Sequence, residues 1–93
     1  MRPVHDALEL LGRRWAMRLI WELRRDALSF SELRERCGGV SPSVLSTRLG
    51  ELTDAGIVDR DGARRYTLTA SGRELARLLY EINRWAERSK LRA

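Results

Sequence analysis

Apolar positions along the chain keep helical spacing almost everywhere, and the interruptions mark where one element gives way to the next. Val4, Ala7, Leu8 and Leu11 follow that spacing, and Gly12 ends a first short helix. From Arg13 to Arg24 the stretch "RRWAMRLIWELR" is apolar nearly all round, through Trp15, Met17, Leu19, Ile20, Trp21 and Leu23, which predicts a central helix. "DALSF" breaks the pattern. Ser31 then stands as a cap for "ELRERC", a helix that turns Leu33 and Cys37 inward. After "GGV" comes "SPSVLSTRLGELTDAGIV", where Ser41 caps a further helix and Pro42 takes the first helical position, at which its missing N–H costs nothing. Ile57 to Asp61 and Arg65 to Leu68 are short strand candidates around "DGAR", whose Asp-Gly pair signals a hairpin. Thr69 caps a last helix running to about Ser89.

Two helices joined by a short glycine-containing turn, "FSELRERC", "GGV" and "SPSVLSTRLGELTDAG", form a helix-turn-helix. The hairpin directly after it makes the fold a winged helix-turn-helix: mainly α with a small β-hairpin, in one domain spanning residues 1–93. On a helical wheel Leu45, Leu49 and Leu52 share a narrow arc with Val44 on its flank, which is the buried side. Ser43, Thr47 and Gly50 lie opposite, with Ser46 beside them. A helix lying in a major groove about 12 Å wide needs such a face of short hydrogen-bonding side chains. Gly50 permits close approach at about 1 kcal/mol of helix propensity. A solvent-exposed helix low in charge would read the same way, so the surrounding architecture decides between the two.

Charge strengthens the nucleic-acid reading. Eighteen basic residues against thirteen acidic ones give a net charge of +5 and a pI near 10.6, which suits a polyanionic partner. Nearly all the basic residues are arginine, so genome composition is the competing source of that surplus. A single cysteine, Cys37, excludes an internal disulfide and fits a reducing cytoplasm. Without a signal-peptide run or a membrane-spanning stretch, the expected location is cytoplasmic, away from membranes.

In order and spacing, "HDALELLGRRWAMRLIWEL", "LSFSELRERCGGVSPSVLSTRLGELTDAGIVDR" and "RYTLTASGREL" resemble the HxlR-type winged-helix transcriptional regulators, over Pro3 to about Trp85. The most specific pieces are Gly-x-x-Trp at Gly12–Trp15, "FSELR", "SPSVLSTRL", "LTDAGIV" and "YTLTASG". The resemblance implies a small cytoplasmic homodimer on inverted-repeat DNA, a seam built from the first and last helices, and a hairpin that touches DNA as a wing. Three departures stand out. Arg2 occupies the place where family members commonly carry a cysteine, which removes oxidant sensing through it. "DRDGARRY" makes a short wing. Gly50 replaces a usual lysine or arginine.

For DNA the candidate residues are Arg13, Arg14, Ser31, Ser41, Ser43, Ser46, Thr47, Arg48, Arg64 and Arg65. Ser43, Ser46 and Thr47 are the candidates for base edges, with phosphate as their other partner. Ser41 combines capping with a phosphate contact. Arg48 stands on the shoulder of its helix; arginine is typical of this position in the family, and a phosphate contact competes with a bracing salt bridge. Arg13 and Arg14 open the second helix, where free N–H groups favour an anion, and Arg14 matches a basic position of the family. Arg64 and Arg65 belong to the wing, while turn geometry explains the Asp61-Gly62 pair better than function does. Ser29 and Ser31 are phosphate candidates too.

In the last helix Leu75, Leu78, Leu79, Ile82, Trp85 and Ala86 form one apolar stripe opposite Arg73, Arg77, Arg84 and Arg88. Such a stripe is buried against something, and a partner subunit is the expected cover. With Val4, Leu8 and Leu11 of the first helix it forms the expected dimer interface. Glu74 to Arg77 and Arg77 to Glu81 have surface-pair spacing. Trp15, Trp21 and Trp85 read as core or seam. An effector, if there is one, would bind in a dimer-interface pocket lined by such aromatics.

Enzymatic readings fail on inventory: one histidine and one cysteine make no usual metal site, and no phosphate loop or paired nucleophile is present. No cofactor is expected. Double-stranded DNA is the expected partner, and a winged helix turned protein-interaction module or antagonist is the alternative.

Overall fold

A computed structural model describes residues 2–91. The elements run α1 (Pro3–Leu11), α2 (Ala16–Glu22), α3 (Phe30–Arg36), α4 (Pro42–Asp54), β1 (Val58–Arg60), β2 (Tyr66–Leu68) and α5 (Ala70–Ser89). The limits expected for the domain, residues 1 and 93, lie outside the described residues. The two strands pair antiparallel, Val58 with Leu68 and Arg60 with Tyr66. Leu28, between α2 and α3, adds a single bridge to Tyr66, so the hairpin is tied to the helical layer at its base.

One apolar core holds these elements together. Leu19 and Ile20 of α2, Leu33 of α3, Leu45, Leu49 and Leu52 of α4, Val58 and Leu68 of the hairpin, and Ala76 and Leu79 of α5 are all buried in it. Cys37 is buried at the end of α3, and burial pushes its thiol above the ordinary cysteine range. The expected helix-turn-helix is α3, a turn in which Gly39 takes φ +100°, and α4.

Two expected helix starts are corrected. α2 begins at Ala16 and not at Arg13, because Trp15 takes a left-handed backbone, φ 76°, that interrupts the helical path. A bulky residue pays roughly 1–2 kcal/mol for that conformation; the ring packs against the core, and the Trp15 carbonyl accepts from Leu19 N–H at 2.9 Å. For α3 the cap is Ser29, not Ser31. Ser29 Oγ accepts from Glu32 N–H at 3.1 Å, and Glu32 Oε1 accepts from Ser29 N–H at 2.8 Å, a reciprocal capping box. That donor from Ser29 holds the Glu32 carboxyl below its ordinary range. Ser41 and Thr69 cap α4 and α5 as expected, accepting from Val44 N–H at 3.2 Å and Gly72 N–H at 3.0 Å.

The start of α5 is seated on the hairpin. Thr69 Oγ1 donates to the Gly56 carbonyl at 2.6 Å, and Gly72 lies so close that a Cβ there would run into the Ile57 carbonyl oxygen. Only glycine permits this approach.

Candidate nucleic-acid interface

Leucines on one side of α4 fix the direction of the other. With Leu45, Leu49 and Leu52 buried, Ser43, Ser46, Thr47 and Gly50 are exposed, and nothing lies within 4 Å of where a Gly50 side chain would begin. The outward face from Ser43 to Gly50 is therefore short, polar and uncharged. Ser41, at the head of α4, has its hydroxyl engaged in the cap and 3.4 Å from Ser43 Oγ.

Arg48 faces elsewhere. Its Nε donates to the Arg14 carbonyl at 2.8 Å, and its Nη1 pairs with Glu51 Oε1 at 3.0 Å. Arg13 reaches the other oxygen of the same carboxylate, Nη1 to Oε2 at 3.0 Å. Glu51 is thus a hub that ties α4 to the turn before α2, and Arg48 is a brace. Arg13 and Arg14, expected to open the second helix, sit in the turn before α2; Arg13 is paired, and Arg14 lies 5.4 Å from the Trp15 ring centroid. Glu51 escaped the sequence reading, although its i,i+3 spacing from Arg48 is the signal for such a pair. Ser31 is exposed on α3 beside Arg34 and Gly39, away from the cap it was expected to make.

The wing is a compact turn built on one carboxylate. Asp61 Oδ1 accepts from Ala63 N–H at 2.8 Å and Arg65 N–H at 2.9 Å, and Arg65 Nε stands 3.4 Å from Oδ2. The Arg65 amide, foremost among these donors, holds the Asp61 carboxyl below its ordinary range. Asp61 therefore orders the tip and leaves Arg64, at φ 62°, exposed to solvent with Arg65. Arg60, which sequence reasoning passed over, places its guanidinium 4.7 Å over the Tyr66 ring on the same hairpin.

The expected dimer residues divide into two groups. Val4, Leu8, Leu78, Ile82 and Trp85 are exposed, Leu8 at 65% and Ile82 at 53%. Leu11 and Leu75 are half-buried against the core, and Leu79 is fully part of it, because α5 turns Ala76 and Leu79 toward α2. Leu79 is thus a residue of the chain's own core. The spacing pairs Glu74–Arg77 and Arg77–Glu81 are absent among the described residues; Arg84 pairs with Glu81 instead, at 3.9 Å. No described helix is long and apolar enough to cross a membrane.

Known proteins share this fold. The HxlR-like helix-turn-helix family model matches residues 10–92. The HTH-type transcriptional regulator YvaP of Bacillus subtilis is 36% identical over 86 residues, covering 86% of this chain and 80% of that one. The quinone-bound structure of YodB from B. subtilis superposes with a TM-score of 0.84 at 35% identity, over 95% of this chain and 99% of that one. An HxlR family transcriptional factor from Thermoplasma volcanium superposes with a TM-score of 0.82 at 28% identity, over 97% and 86% of the two chains.

Proposed function

The chain belongs to the HxlR-like helix-turn-helix family of DNA-binding transcriptional regulators, not enzymes, and on that premise we propose that it acts as a homodimer on an inverted-repeat operator with α4 in the major groove. The outward face of α4 carries this reading. Three hydroxyls and a glycine stand clear of the core, with no long side chain between them and a groove floor. Ser43, Ser46 and Thr47 meet base edges, and Ser41 and Ser31 lie at the ends of the motif helices where backbone phosphates pass. Arg64 and Arg65 supply the positive charge of the wing. Arg13, Arg14 and Arg48 contribute chiefly by holding α4 against α2.

Dimerisation rests on a second observation. Val4 and Leu8 on α1, and Leu78, Ile82 and Trp85 on α5, leave two apolar stripes open to water, each at helical spacing. A second copy covers both, and its two-fold axis presents two α4 helices about one DNA turn apart. A single winged helix-turn-helix domain and a cytoplasmic location belong to the same reading.

Sedimentation velocity of the free protein and of its complex with a selected duplex is the test. Two protomers per duplex are predicted; a complex holding one protomer contradicts the proposal.

A further inference from the structure

At the end of α2 remote from the Arg48 brace, four arginines converge on one cleft. Arg24 and Arg25 follow α2, Arg73 and Arg77 stand one turn apart on α5, and with Ala76 and Tyr80 they line a hollow of about 290 Å³. No carboxylate lines it; Asp26 belongs to the adjoining hollow with Thr67. Among the described residues, none of the four arginines has a carboxylate partner within 4.0 Å.

Two of the guanidinium groups are fixed in place. Arg24 lies 3.8 Å over the Trp21 ring and donates from Nη1 to the Trp21 carbonyl at 2.9 Å. Arg73 donates from Nη1 to the Leu68 carbonyl at 2.9 Å. Each keeps further N–H groups for a ligand, since a guanidinium has five. Arg25 and Arg77 are exposed at the rim. Like charges lining one cleft repel one another, and the nearest hollow's carboxylate, Asp26, forms no ion pair with them.

We infer that this cleft binds a small phosphorylated molecule through a diphosphate or two neighbouring phosphate groups. Planar guanidinium forks match phosphate oxygens in pairs. Four positive charges call for more negative charge than one carboxylate supplies. The volume is near the lower end of small-molecule pockets, roughly 300 Å³. A DNA backbone offers the same phosphate chemistry, but the cleft is separated from the α4 brace by the length of α2, about 10 Å of helix.

Calorimetric titration of the full chain with inorganic pyrophosphate tests the site, with inorganic phosphate and duplex DNA as separate arms. One pyrophosphate per protomer is expected, bound more tightly than phosphate. Arg25→Ala and Arg77→Ala, both at exposed positions, are each expected to weaken pyrophosphate roughly tenfold. Both are expected to leave duplex affinity unchanged and the thermal midpoint no lower than that of the parent chain. Three results overturn the inference: no saturable pyrophosphate binding, binding indifferent to both substitutions, or a loss of duplex affinity in these variants equal to that of Arg64→Ala. The last would make the cleft a DNA contact.

Discussion

Arg48 Nε donates to the carbonyl oxygen of Arg14 at 2.8 Å, joining the middle of α4 to the turn before α2 across 34 positions of sequence. The same side chain shares Glu51 with Arg13, so four residues, Arg13, Arg14, Arg48 and Glu51, tie α4 to that turn. Arg48→Ala removes a charge-assisted hydrogen bond at a half-buried site and is expected to cost about 1–2 kcal/mol. A shift of the urea midpoint measures it. An arginine serving only to touch phosphate would leave that midpoint unmoved.

Two glycines predict opposite outcomes for one substitution. Gly72→Ala drives a methyl group into the Ile57 carbonyl and against Leu68 Cβ at 3.2 Å, where backbone must shift. A loss of about 2–3 kcal/mol is expected. Gly50→Ala meets nothing within 4 Å and is expected to gain up to about 1 kcal/mol of helix propensity. Thermal melts of the pair check both signs.

Acid should loosen the wing before it unfolds the domain. The Asp61 carboxyl is held below its ordinary range by N–H donors from Arg65 and Ala63. A depressed carboxyl contributes order that is fully present above the ordinary range, about pH 4, and lost as pH falls through the folded value. Exchange of the Ala63 and Arg65 amides is expected to accelerate there, beyond its intrinsic pH dependence. In Asp61→Ala those amides are expected to exchange fast at every pH.

Cys37 is expected to be a poor nucleophile in the folded chain, since burial both shields its thiol and raises its pKa. Alkylation by iodoacetamide should follow the rate at which the domain opens, becoming immediate in urea. Fast modification of the native protein would show an accessible thiolate.

On α4 and the wing, specificity and affinity should separate. Thr47→Ala is expected to relax preference at one base position by about 1–3 kcal/mol. Arg64→Ala should weaken every duplex alike and reduce the salt slope by about one. Anisotropy titrations on matched and mismatched duplexes distinguish the two.

Periodicity made much of this fold legible. Leu45, Leu49 and Leu52 marked the buried side of α4, hence its outward side, because a helix can present only one stripe to a core. Thr69 and Ser41 were readable as caps from residue type and position. The Ser29–Glu32 capping box was written in the chain as well, but the nearer Ser31 drew the assignment. Trp15 was hidden, since an apolar residue in an apolar run gives no sign of φ 76°. Leu79 shows a different limit: a stripe declares that it is buried, not whether its own core or a second copy covers it. The Arg24, Arg25, Arg73 and Arg77 cleft joins segments some fifty positions apart, roughly half the chain, and no local spacing announces it.

Selection of duplexes from a random library by the purified protein, at about 150 mM salt where nonspecific attraction is weakened, tests the central claim most directly. The account predicts an enriched inverted repeat with half-sites about one helical turn apart. Salt-labile binding with no enriched motif would contradict it, and would point to a winged helix that serves protein interaction.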